Sequence, residues 1–425
     1  MLQTLRNAWR IEEIRKKILF TLLIVLLYRI GNAIPVPFVN TALLQMYFQQ
    51  LQNTALGLLD AMSGGSFSNA TIFALSIQPY INASIIIQLL CIAIPALERM
   101  SKEEGEEGRK KIASITRYST VAIGLLQGFG YYMLMKNNGI IVADASSSVW
   151  AAIVIILTFT SGSALIMWLG EQITEFGIGN GISIILFASI ISRFPNSVIT
   201  TIQNVINGSL SWWAAVLVFL GALALIVLIV FVNDAERRIP VQYAKRVVGR
   251  KMYGGQSTHL PMKVNMSGVM PIIFASSISS IPATIAAFTG HSQSAWAKTN
   301  TIPYAIIYLL LIIFFAYFYS TIQFNPIEVA NNLKKNGGYI PGFRPGKPTS
   351  EFIQRVLNKI TLFGAIYLGI IAVTPILVSH FSNAAALTGL SLGGTSIIIV
   401  VGVALETVRA IEAQMLMRNY KGFLS

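Results

Sequence analysis

The sequence of 425 residues is poor in charge, in cysteine and in histidine: Asp, Glu, Lys and Arg make up 11% of it, with one cysteine and three histidines. Soluble domains carry about 25% charged residues, so an ordinary water-soluble globule is excluded. Cys91 has no second cysteine for an internal disulfide and forms no CxxC pair for a metal. Inside an apolar run it reads as a packing residue. His259, His291 and His380 fall in loops or at segment ends, without the spacing of a metal pair. "GEEGRK" at 105–110 lacks the spacing of a phosphate-binding loop, and "GIGNG" at 177–181 lacks a preceding soluble strand. No catalytic constellation is visible. The expectation is a protein that is no enzyme, needs no cofactor or metal, and takes its energy from a partner.

Apolar residues are what the chain has in plenty, at 54%. A helix needs roughly 20 of them to cross about 30 Å of hydrocarbon. Ten such segments are predicted, at 18–36, 71–96, 113–135, 149–169, 178–195, 212–232, 267–288, 303–324, 357–378 and 392–412. The composition is that of a polytopic, all-α membrane protein. No apolar region with a small-residue cleavage site precedes the first segment, which is expected to be retained.

Basic residues set the expected orientation, because short loops rich in Lys and Arg stay in the cytoplasm. Arg6, Arg10, Arg15, Lys16 and Lys17 precede the first segment, and Arg99, Lys102, Arg109, Lys110 and Lys111 follow the second. Seven more lie between Arg237 and Lys263, and Lys334, Lys335, Arg344, Lys347 and Arg355 follow the eighth segment. The opposite side holds only Lys136, Arg193 and Lys298. Both termini are therefore expected in the cytoplasm.

The two longest connections, about 233–265 and 325–356, are too long for simple links and too patterned for disorder. In the second, Asn325-Pro326 starts a helix, Lys334-Lys335 sits at its favourable C-terminal end and Gly337-Gly338 stops it. Pro341-Gly342, Pro345-Gly346 and Pro348 then mark successive turns. The pattern predicts a stiff, hairpin-like projection with Arg344 near its tip, suited to docking. Topology or binding of anionic lipid is the plainer use of the same charges.

An ion-coupled secondary transporter is the rival reading, since carriers also have about ten spans and place ionisable groups at membrane depth. Arg29 is the clearest such group, and Glu406 and Arg409, three residues apart, can pair on one helix face. That is a thin outfit for a carrier.

Several long stretches carry a resemblance. "GLLDAMSGGSFSNATIFALSIQPYINASIIIQLL" (57–90), "EEGEEGRKKIASITRYST" (103–120), "MWLGEQITEFGIGNGISIILFA" (167–188), "RRIPVQYAKRVVGRKMYGGQSTHLPMKVN" (237–265), "NNLKKNGGYIPGFRPGKPT" (331–349) and "GGTSIIIVVGVALETV" (393–408) are similar to SecY, the family of central subunits of the bacterial protein-conducting channel. The resemblance implies ten transmembrane helices in two pseudo-symmetric inverted halves, 1–206 and 207–425, around a central pore. It implies a pore ring of Ile77, Ile81, Ile182, Leu186, Ile273 and Ile399, flexible aliphatic side chains that hold nothing tightly and dewet when idle. Ile77 with Ile81, and Ile182 with Leu186, are spaced i, i+4 and share a helix face.

The segment 56–69, "LGLLDAMSGGSFSN", is too short and glycine-rich to span. By resemblance it is a plug, with Leu58, Leu59, Met62, Gly64, Gly65 and Phe67 as its members; an interfacial re-entrant turn is the alternative. The resemblance also places a lateral gate between the second and seventh segments, at Gln78, Asn82, Gln88, Ser276 and Ser277. Lys245, Arg246, Arg250, Lys251, Arg344 and Lys347 become contacts for the ribosome or the motor ATPase SecA, with salt-sensitive attraction to phosphates in the first case. The implied setting is the bacterial cytoplasmic membrane, with SecE, SecG, signal sequences, nascent polypeptides and membrane lipids as partners and no small-molecule substrate.

Overall fold

The computed structural model describes residues 2–51, 55–102, 105–142, 148–208, 211–243, 246–248, 251–253, 257–288, 301–381 and 394–421. The N-terminal part holds α1 (Leu2–Arg10), α2 (Glu12–Gly31), α3 (Thr41–Gln50), α4 (Ala55–Met62), α5 (Gln78–Ala93), α6 (Pro95–Lys102), α7 (Gly105–Asn137), α8 (Val149–Phe176) and α9 (Gly181–Ile206). After α10 (Trp212–Asp234) come β1 (Glu236–Tyr243), β2 (Arg246–Val248), β3 (Lys251–Tyr253) and β4 (Ser257–Lys263). The chain continues through α11 (Met270–Phe288), α12 (Ile302–Gln323), α13 (Pro326–Lys335), β5 (Gly338–Tyr339), α14 (Lys347–Phe381) and α15 (Gly394–Lys421).

Local chemistry sets many of these boundaries. Asn180 accepts hydrogen bonds from the Ile182 and Ser183 amides to start α9, and Asn325 accepts from Ile327 and Glu328 to start α13. Pro326 at the first position of α13 has no amide to leave unpaired.

Every predicted apolar segment carries helix, with shifted ends. Among the described residues five helices are long and apolar enough to cross a membrane, those beginning at Val149, Gly181, Trp212, Ile302 and Lys347. The apolar helices beginning at Gln78 and Met270 are shorter. The segment expected at 71–96 is helical only over Gln78–Ala93. Thr71 bridges to Pro35 and residues 72–77 form turns, because Ala70 and Ser76 take positive φ and Pro79 fits only a first helical turn. At the other end Ile94 is extended, the conformation that a following proline favours, and Pro95 opens α6. Sixteen residues of helix reach about 24 Å, short of the hydrocarbon thickness.

Two apolar clusters organise the helices. The larger one draws on α2, α5, α8, α9, α11, α12, α14 and α15. The second joins α3, α4, α7, α8 and the turn segment 67–75, with Leu44, Phe48, Phe67, Tyr131, Ile155 and Phe159 among its buried members.

The two long connections are joined to each other. Strand β1 pairs antiparallel with β4 and, on its other edge, with β5, so the sheet order is β4-β1-β5. Gln242 lies opposite Tyr339 and Tyr243 opposite Gly338. A third apolar cluster underlies this sheet: Ile239, Val241, Met262 and Ile340 bury against Ile353 and Leu357 of α14. The expected helix and turns are present; what the sequence did not show is the two-residue strand β5 between them, which fastens this connection to the other one. The pairing is long-range, which no local pattern records.

Candidate functional site

The residues expected to form the ring fall in the larger apolar cluster. Ile77, Ile81, Leu186, Ile273 and Ile399 are buried in the larger cluster, and Ile182 is partly buried against it. They come from the start of α5, from α9, from α11 and from α15. Ile77 precedes α5 instead of lying within it, yet its carbonyl accepts from the Ile81 amide at 3.1 Å, so the two keep a common face.

Beside this cluster lies α4, which packs against α9 and α11. Its Met62 is buried in the larger cluster, while Leu59 rests on the second one. Leu58 lies on α4, its side chain outside the described residues. Gly64 and Gly65 follow with φ of 72° and 86°, values that a side chain resists. Phe67 is fixed: its ring stacks on Tyr131 with centroids 4.2 Å apart, and the Tyr131 hydroxyl donates to the Phe67 carbonyl. Helix and anchor therefore sit on either side of a glycine pair.

The seam between α5 and α11 is polar at one point. Gln78 is buried; its Nε2 lies 3.7 Å from the Met62 sulfur and its Oε1 accepts from Ser277 Oγ at 3.5 Å. One amide thus touches the short segment and both helices at the seam. Such bonds in a membrane contribute about 0.6 kcal/mol each, weak enough to exchange. The other expected seam residues bond within their own helices or stand aside. Gln88 donates to Ser84 at 3.3 Å, Ser276 donates to the Ile273 carbonyl at 2.8 Å, and Asn82 is half-buried.

Of the basic residues singled out for docking, Arg344 and Lys347 are exposed, Lys347 as the first residue of α14. The turn holding Arg344 is anchored by Phe343, stacked on Phe352 at 4.2 Å, and by Thr349 Oγ1 donating to the Arg344 carbonyl at 2.8 Å. Arg246 and Lys251 lie on the β2–β3 pair with side chains outside the described residues; Lys245 and Arg250 lie outside them altogether.

Three ion pairs were not foreseen from the sequence. Arg409 reaches Asp234 and the Asn233 carbonyl, at 3.0 Å from the latter, in place of Glu406. The exposed carbonyls at the C-terminal end of α10 attract a cation. Arg117 pairs with Glu171 at 2.9 Å between α7 and α8, a pair whose signal was a lone arginine inside the 113–135 segment. Arg193, counted only as a topological charge, binds Asp60 of α4 at 2.7 Å. Arg29, Asp60 and Arg193 border a polar cavity of about 520 Å³ next to α4.

A model of the SecY family matches residues 71–408. Proteins named protein translocase subunit SecY from Streptomyces scabiei, Streptomyces galbus and Mycobacterium tuberculosis are 45%, 46% and 44% identical to the chain, each over 100% of both sequences. The chain belongs to the SecY family.

Solved structures agree on the fold. One described as a protein conducting channel has a TM-score of 0.67 and 17% identity, covering 95% of this chain and 93% of the other. A second, in which the SecY plug domain is described as stabilising the closed state and maintaining a membrane seal, scores 0.65 at 16% identity over 95% and 92%. Sec61 in a canine ribosome-channel complex scores 0.62 at 15% identity over 95% and 93%. The solute-carrier reading finds no support among these SecY-family relatives.

Proposed function

We propose that the chain is the channel-forming subunit of a protein translocase, passing unfolded polypeptides across a membrane and releasing apolar helices sideways into it. One observation supports the reading: six aliphatic side chains, from α5 and the turn before it, α9, α11 and α15, belong to or pack against one apolar cluster, and the short helix α4 contributes Met62 to the same cluster. A path for chains of any composition needs surfaces that hold no side chain specifically and exclude water when idle. All six side chains are aliphatic, which suits a conduit better than a carrier that must bind an ion or a polar solute.

Within this reading the ten apolar helices all span, in two inverted halves at 1–206 and 207–425, and Ile77, Ile81, Ile182, Leu186, Ile273 and Ile399 form the constriction. The segment 56–69 is the plug, and Gln78 with Ser277 is the polar point of the lateral gate. The basic excess puts the β4-β1-β5 sheet and both termini in the cytoplasm of a bacterial cell. A passive channel needs a motor, so Arg344, Lys347 and the β2–β3 pair face SecA or the ribosome, with SecE and SecG as membrane companions. The ribosome-bound state of the Sec61 relative favours the ribosomal part of that assignment.

The test is crosslinking of a stalled secretory chain to cysteines placed singly at Ile81, Ile182, Ile273 and Ile399 in a Cys91→Ser background. Crosslinks from all four positions to one substrate residue are expected. An engaged chain that reaches none of them would remove the constriction from this place.

A further inference from the structure

Asp60 is the one carboxylate in the segment 56–69, and it is 5% exposed. Both of its oxygens are used. Oδ1 accepts from the Ser68 amide at 2.7 Å, and Oδ2 accepts from Arg193 Nη2 at 2.7 Å. Ser68 lies beyond the glycine pair and next to the fixed Phe67, while Arg193 belongs to α9. A single carboxylate therefore ties α4 to the turn that follows it and to a helix of the surrounding bundle.

The position is useful for control. Gly64 rests directly on α9, where an added Cβ would meet the Ser189 carbonyl at 2.7 Å. Movement of α4 away from α9 must break the Asp60–Arg193 contact, and the polar cavity beside the pair offers water to both charges once they part. An ion pair that is dry on one side and wet on the other is strong enough to hold and cheap enough to open, since neither charge is left stranded in apolar surroundings.

We propose that the Asp60–Arg193 pair is the latch that fixes the resting position of the 56–69 segment and so sets how tightly the idle channel is closed. This rests on the channel reading above. Gating through this pair is a positioning role, since neither residue belongs to the apolar constriction.

The experiment uses the whole translocase complex reconstituted in lipid, measuring idle ion conductance and, separately, translocation of a secretory precursor. Asp60→Asn and Arg193→Gln are each expected to raise idle conductance roughly tenfold, the loss of one charge-assisted hydrogen bond. The double variant is expected to leak no more than either single one, because one contact is removed in all three. Wild-type conductance in Asp60→Asn, or a double variant whose leak is the product of the two, would overturn the latch.

Should either variant fail to assemble, Asp60→Cys with Arg193→Cys, in a Cys91→Ser background, is joined by a short bis-maleimide. The joined channel is expected neither to leak nor to translocate; no joining, or translocation at the wild-type rate once joined, overturns the proposal. A wild-type complex that translocates nothing fails the channel reading, and the latch with it. A translocating wild type with non-leaking single variants fails the latch alone.

Discussion

Gly64→Ala isolates the fit between the 56–69 segment and α9. Gly64 has φ of 72°, and alanine held in left-handed backbone costs roughly 1–2 kcal/mol. Its Cβ would also lie 2.7 Å from the Ser189 carbonyl oxygen and 2.9 Å from Ser192 Oγ. The serine hydroxyl can turn away; the carbonyl is helix backbone and cannot. Both penalties fall on the resting position and are relieved when the segment swings off α9. On the backbone term alone the ratio of resting to displaced segment falls about 5- to 30-fold. Gly65→Ala is the control: its φ of 86° is as unfavourable, but the nearest atom to its Cβ is 3.7 Å away, an ordinary contact.

The assay is idle conductance of the reconstituted complex, with assembly checked beforehand. Gly64→Ala is expected to leak at least about fivefold more than wild type and more than Gly65→Ala. Conductance equal to wild type in an assembled Gly64→Ala complex, or equal leaks in the two variants, would refute the idea that contact with α9 holds the segment.

Two further outcomes follow from named contacts. Tyr131→Phe removes the donor to the buried Phe67 carbonyl while keeping the ring stack, and is expected to cost about 1–2 kcal/mol; a thermal midpoint unchanged from wild type would show that the hydroxyl does not anchor the segment. Arg344→Glu reverses an exposed charge on a turn braced by Phe343 and Phe352. It is expected to abolish motor-driven secretion with the chain still inserted, and normal secretion would remove Arg344 from docking.

Much of the helical architecture was legible in the sequence because a long apolar run is a local signal. Each of the ten segments carries helix, and Asn325-Pro326 starts α13 as its spacing indicated. The second segment was misjudged at its start, since apolar content does not reveal that Ala70 and Ser76 turn the chain at positive φ. The central residues were nameable only by family resemblance: an isoleucine facing a pore and one packed in a helix bundle look alike in sequence. Gln78 was named for a gate only through the resemblance, and its contacts to Met62 and Ser277 join residues up to 199 positions apart.

By itself the sequence determined that the protein belongs in a membrane and which segments carry its long apolar helices, because hydropathy acts residue by residue. Tertiary structure decided everything that depends on partners distant in the chain. It joined the two long connections through β1 and β5, turned Arg409 toward Asp234, and gave Asp60 its one arginine. The physical reason is common to all three. A strand edge, a guanidinium and a carboxylate each have many possible partners, and only the packing of the helices settles which one comes within bonding distance.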